Sequence, residues 1–168
     1  LGAASITGNL GLTTTAGNIS QSGILSVTGT SAFTTNAAGA DIVLNTSSNA
    51  LAGAVTLMTT AANGDASITN GNTGLILAAS TVNGDLTLTS GAAAGIIDSA
   101  LVTVTGNLLA TTNANDGLIN LDTLAITGTI GLNTNGSGNA TINNSGLDID
   151  FAASTVGGNL SATNTANG

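Results

Sequence analysis

The chain has no lysine, arginine, histidine, cysteine, proline, tryptophan or tyrosine, and all eight of its charges are aspartates. These absences exclude most site chemistry before any motif is sought. There is no imidazole for general base catalysis, no thiolate or ammonium nucleophile, and no guanidinium to hold a carboxylate or phosphate. A net charge of −8 also excludes nucleic-acid binding, which needs cations to neutralise phosphates. The chain is read as a non-enzyme. Side-chain salt bridges are impossible, so cohesion must come from apolar burial and hydrogen bonds. No apolar run reaches the length of a membrane span, and the absence of cysteine leaves the redox compartment open.

What remains is mostly Gly, Ala, Thr, Asn, Leu, Ser and Ile, with Phe33 and Phe151 the only aromatics. Such a composition borders on disorder, but positive mean hydropathy and a repeating apolar frame argue for a packed chain. Seven times a glycine is flanked by apolar residues two before, two after and four after it, at Gly8, Gly29, Gly53, Gly84, Gly106, Gly128 and Gly158. Of the 21 flanking positions only Ser31 is polar. The positions between them are mostly polar, and that alternation is the signature of a strand with one buried face.

Most frame glycines follow one another at similar intervals, but two intervals are longer, from Gly53 to Gly84 and from Gly128 to Gly158. The order of short and long intervals itself repeats, and so does the text. Ala79-Ser80-Thr81-Val82-Asn83-Gly84-Asp85-Leu86 returns as Ala153-Ser154-Thr155-Val156-Gly157-Gly158-Asn159-Leu160, and Gly64-Asp65-Ala66-Ser67-Ile68 returns as Gly138-Asn139-Ala140-Thr141-Ile142. Three short strands per interval fit one turn of a parallel β-solenoid. Gly, Thr, Asn and Val disfavour a helical solenoid. The expectation is an all-β, right-handed parallel β-helix of about seven coils of 21–31 residues, with a three-coil higher repeat of about 75 residues. The third coil of each repeat is expected to expel its extra length as a loop. Residues 1–168 read as a single solenoid segment, an excerpt of a longer array.

Within the frame, the residue six after each glycine is Thr14, Thr35, Thr59, Ser90, Thr112, Thr134 or Asn164. These are expected to stack as a structural ladder along one corner, bonding from coil to coil. The remaining site candidates are aspartates. Calcium is the one cofactor the composition permits, because it takes oxygen ligands. Asp41 and Asp65 hold the same offset after their frame glycines, Gly29 and Gly53, and are expected to stack, while Asp148 and Asp150 project from one face. Neither an EF-hand loop nor a calcium-binding nonapeptide accompanies them, so solvated surface carboxylates are the competing reading and no cofactor is required. A polysaccharide-binding or polysaccharide-hydrolysing β-helix is a remote alternative. It needs an aromatic or paired-acid groove, and Phe33 is assigned to the core.

The units Ile6-Thr7-Gly8-Asn9-Leu10, Val82-Asn83-Gly84-Asp85-Leu86, Val104-Thr105-Gly106-Asn107-Leu108 and Val156-Gly157-Gly158-Asn159-Leu160 resemble the repetitive shafts of filamentous-haemagglutinin-like bacterial exoproteins. The resemblance runs along the whole chain. It implies secretion to the cell surface or outside the cell, a β-helical shaft, and a structural role in adhesion or biofilm matrix. The partners it implies are flanking repeats or copies stacked end to end, with cell surfaces engaged through other regions. A self-assembling extracellular filament is the second reading.

Overall fold

A computed structural model describes residues 1–166 as β-strands and turns with no helix. All strand pairings are parallel, and each strand pairs with the strand one coil earlier or later, as in a β-solenoid. There are about seven coils of roughly 22 residues.

Three faces follow from the pairings, with strands numbered in chain order. The first stacks β3 (Ile19–Ser20), β6 (Ile42–Leu44), β9 (Ala66–Asn70), β12 (Leu86–Ser90), β15 (Leu108–Asn115) and β17 (Ile130–Asn135). The second stacks β2 (Leu10–Thr14), β5 (Ser31–Thr35), β8 (Val55–Thr59), β11 (Ser80–Val82) and β14 (Val102–Val104). The third starts with β1 (Ala4–Ile6), β4 (Leu25–Val27) and β7 (Ala50–Leu51). Higher up it holds β10 (Leu75–Leu77), β13 (Ile96–Asp98), β18 (Ala140–Asn144) and β19 (Leu160–Asn164). One long strand, β16 (Ile119–Ile126), turns a corner: Ile119 pairs with Ile96 on the third face and Leu124 with Val102 on the second.

The frame residues line the interior. In the coils between the two ends every apolar frame position is buried, from Val27 and Phe33 through Ile130 and Leu132. The buried cluster is almost wholly Leu, Ile, Val and Ala, small and branched side chains that fill a tube bounded by strands on three sides. Ser31, the one polar frame residue, is also buried, between Leu10 and Val55 of the adjoining coils.

Two expectations need correction. The long intervals, Gly53 to Gly84 and Gly128 to Gly158, expel no loop, and coil length does not follow the uneven spacing of the frame glycines. The residues expected to bulge are strands of the solenoid wall, β9 and β18. Each begins two residues after a glycine, Gly64 or Gly138, that the count of seven passes over. Gly64 divides its interval into a short step from Gly53 and a long step to Gly84, and Gly138 divides the other between Gly128 and Gly158 in the same way. The short step is one corner of the solenoid; the long step is one whole coil. Gly29 stacks on Gly8, donating its N–H to the Gly8 carbonyl at 3.1 Å, whereas Gly106 and Gly128 stack on Gly84 and Gly158 stacks on Gly138. The frame therefore moves to the next corner once in every higher repeat. The five-residue strand that follows it moves too, from the second face in β2, β5 and β8 to the first in β9 and β12, then to the third in β18 and β19.

Close stacking explains the glycine itself. A Cβ on Gly53 would lie 2.4 Å from the Gly29 carbonyl oxygen, and one on Gly84 would lie 2.7 Å from that of Gly64. Those contacts are with backbone, which cannot give way without separating the coils.

Ser31 Oγ is a buried side-chain oxygen with no hydrogen-bond partner among the described residues. Removing an unpaired buried hydroxyl recovers its desolvation cost. Ser31→Ala is expected to raise the unfolding free energy by about 1 kcal/mol, measured by chemical denaturation; a loss of stability would show that the hydroxyl is satisfied in solution.

Candidate functional site: the corner columns

Polar side chains concentrate where strands turn from one face to the next. The longest such column climbs the corner before the first face. Asn18 Oδ1 accepts the Asp41 N–H at 2.9 Å, Asp41 Oδ1 that of Asp65 at 3.0 Å, and Asp65 Oδ1 that of Asp85 at 2.8 Å. Asp85 Oδ1 then accepts the Asn107 N–H at 2.7 Å and Asn107 Oδ1 that of Thr129 at 2.9 Å. Six rungs are thus joined by the same bond. Each satisfies a backbone donor that the corner would otherwise leave to solvent. Shorter columns repeat it, from Asn9 to Thr30, from Asn139 to Asn159 and from Asp116 to Ser137.

The geometry explains why Asp and Asn alternate at these positions. Asp65 and Asp85 in one repeat are Asn139 and Asn159 in the next, and the bond uses only Oδ1, which both side chains carry. Asp41 and Asp65 do stack, as adjacent rungs of this column, and their Oδ1 atoms are spent on backbone. Asp148 and Asp150 line an open groove of about 480 Å³ beside the top of this column, together with its rungs Asn107 and Thr129 and with Leu147. Asn164 Nδ2 lies 3.4 Å from Asp148 Oδ1. The structure does not bring the two aspartate pairs together. Among the described residues no three carboxylates converge as a metal-binding group. At Asp116 the Ser137 hydroxyl and N–H both donate to Oδ1 at 2.7 Å, holding its carboxyl below the ordinary 3.8.

The expected hydroxyl ladder is divided among faces. Thr14 pairs with Thr35 and Thr35 with Thr59 in one file. Ser90 pairs with Asn70 and Thr112 in a second, which places Thr134 of β17 on that same face. Asn164 pairs with Asn144 in a third. Nor do most of these hydroxyls bond from coil to coil. Thr35, Thr59 and Thr112 each donate to a carbonyl five residues ahead, at Ala40, Gly64 and Gly117, and Thr134 donates to Gly138. Each closes the turn that follows its own strand. Thr59 and Thr134 also accept an N–H from the next coil, from Asn83 and Gly157.

Three buried asparagines, Asn49, Asn70 and Asn144, carry more of the coil-to-coil bonding than the threonines do. Asn70 is fully buried; its Oδ1 accepts the Leu51 N–H at 2.9 Å while its Nδ2 donates to the Leu51 carbonyl at 3.1 Å. Asn144 brackets Ile126 in the same way, at 2.8 and 3.1 Å. Each amide thus acts as one extra rung of the ladder. Asn49 takes the Leu25 N–H and donates to the carbonyls of Leu44 and Thr69. Asn70 and Asn144 stand six residues after Gly64 and Gly138, the frame position that Thr occupies elsewhere. The repeated text around those glycines is the signal that finds them.

The family described as repeats of unknown function (DUF5649) matches residues 1–58, the first two coils and most of the third. No curated protein and no solved structure matches the chain.

Asn70→Ala leaves the Leu51 N–H unpaired and its carbonyl with only the Thr73 hydroxyl, 3.0 Å away, and opens a void. It is expected to cost about 2–4 kcal/mol of unfolding free energy. Asn72→Ala, which removes only an exposed bond to the Ser48 carbonyl, is expected to stay within about 0.5 kcal/mol of the parent. Equal losses in the two variants would contradict the bracket's role.

Proposed function

We propose that this chain is an extracellular structural module, a β-solenoid shaft or spacer of the large adhesin or biofilm-matrix exoprotein type, with no catalytic role. One observation carries the reading. The corner polar groups and the interior apolar groups are committed to the coil above or below, so the repeat is built to extend along its axis. The likeness of the Gly-Asn and Gly-Asp frames to filamentous-haemagglutinin-like shafts, and the match of the first coils to a repeat family, support it. The proposed role requires no cofactor. Any contact with a cell surface belongs to other regions of such a protein.

The second reading is a filament of copies stacked end to end. It is favoured by a match between the two end coils. Asp150 and Asn159 stand nine residues apart on adjacent corners of the last coil, and Asn9 and Asn18 stand nine apart in the first. A copy turned by one face would set Asn9 over Asp150 and Asn18 over Asn159. Leu147, Phe151 and Leu160 are exposed at that end.

A spacer lengthens in proportion to its repeats. Inserting a second copy of residues 85–158 after Gly158 adds about three and a third coils, or about 16 Å at one strand spacing per coil. Distance measurement between labels at the two ends should report that increase in a monomeric protein. An unchanged distance would overturn the spacer reading, and fibres growing with concentration would favour the filament. Antibody against the chain is expected to label intact producing cells; labelling only after permeabilisation would refute the extracellular placement.

A further inference from the structure

Asparagine followed by glycine is the dipeptide most open to cyclic imide formation, because glycine leaves the attacking nitrogen unhindered. The chain holds five such pairs, at Asn63, Asn70, Asn83, Asn135 and Asn167, the last outside the described residues. By sequence the other four are equivalent. The structure makes them unequal, and we infer that Asn135 is a site of spontaneous deamidation that the fold leaves open while protecting Asn63, Asn70 and Asn83.

Asn70 is fully buried, and its amide is held by bonds to both polar groups of Leu51 and to the Gly74 carbonyl. Asn83 points its Nδ2 at the Thr59 carbonyl, 2.6 Å away in the coil below, and so turns its amide from Gly84. Asn63 is exposed, but the glycine after it is not: Gly64 is buried, and its Cβ direction ends 2.7 Å from the Ala40 carbonyl oxygen. Backbone on that side blocks the movement that ring closure requires. Asn135 and Gly136 are both exposed. The Gly136 N–H donates to the Oδ1 of Asn135 itself at 2.9 Å, so the nucleophilic nitrogen already faces the amide it would attack. The three atoms nearest a Cβ built on Gly136 all belong to the side chains of Asn115 and Asp116, with no backbone among them. The Asn135 carbonyl accepts N–H bonds from Asp116 and Gly138, which hold the turn in place during the reaction.

The chemistry needs only water. The Gly136 amide nitrogen gives up its proton to solvent base and bonds to Asn135 Cγ; the Cγ–Nδ2 bond breaks and ammonia leaves. Water then opens the imide at either carbonyl, giving aspartate or isoaspartate, with no oxidation or reduction. The product loses the Nδ2 bond to the Asn113 carbonyl, 2.9 Å long in the parent, and sets a new carboxylate beside Asp116. Net charge in this corner becomes more negative with no change in the core.

The test is incubation of the folded chain in mildly alkaline buffer, followed by digestion with a protease that cuts before aspartate. The fragments 41–64, 65–84 and 122–147 separate Asn63, then Asn70 with Asn83, then Asn135. Conversion, counted as the mass gain of each fragment together with the new cleavage that an aspartate product creates at its Asn (122–134 and 135–147 for Asn135), is expected several-fold faster in 122–147 than in the other two, and the difference is expected to vanish in denaturant. Asn135→Ser is expected to abolish the gain in that fragment. Conversion of 41–64 or 65–84 as fast as 122–147 in the folded chain would overturn the inference, as would a gain that survives Asn135→Ser.

Discussion

Every other feature of this structure depends on one constraint: each coil must lie a single strand spacing, about 4.8 Å, above the last at every point of its circuit. Backbone pairing satisfies this along the faces, but at the corners it thins to isolated bonds such as those between stacked glycines. There the chain relies on glycine, which lets one carbonyl approach the next corner, and on Asp or Asn, whose Oδ1 takes the N–H arriving from above. Lacking cations, the chain has no salt bridge to substitute for these bonds. Corner chemistry and core chemistry are therefore one problem, since a corner that opened would separate the strands on either side of it.

The same constraint reconciles the long sequence repeat with the short coil. The repeat is three coils and one further side, so each repetition begins one corner later. Gly64 and Gly138 start the five-residue strand on a new face, and Asn70 and Asn144 end it with an amide bracket that ties it to the coil below. Threonine at the equivalent place closes its own turn and, at Thr59 and Thr134, takes a single N–H from the next coil rather than bracketing a residue. The asparagines thus mark the points where the frame changes corner, each bracketing the last residue of the strand below, Leu51 of β7 or Ile126 of β16.

Much of this was legible in the residues. The alternation around each frame glycine places the buried side chains correctly from Val27 to Leu132, including Phe33 in the core and Ser31 as the lone polar intruder. The stacking of Asp41 on Asp65 follows from equal offsets within successive intervals. What spacing could not give is phase. The interval from Gly53 to Gly84 is compatible with a coil bearing a loop or with a coil plus a side, and only the pairing of β9 with β12 distinguishes them. The single hydroxyl file failed for that reason, because Thr59 and Ser90 hold the same place in the frame but stand on different faces. The aspartates were legible as exposed acids; their use as neutral-equivalent acceptors was visible only in the exchange of Asp65 and Asp85 for Asn139 and Asn159.

The stepping frame is tested most directly by cysteine pairs in a chain that has no cysteine of its own. Adjacent rungs fall within the Cα separation of roughly 4.4–6.8 Å that a disulfide spans. With Gly84 stacked on Gly64, the double variant Asp65→Cys with Asp85→Cys should oxidise readily to an intramolecular disulfide, and Ala54→Cys with Asp85→Cys should not. Ready closure of the second pair with failure of the first would mean that Gly84 stacks on Gly53, with the intervening residues looped out, and would contradict the account.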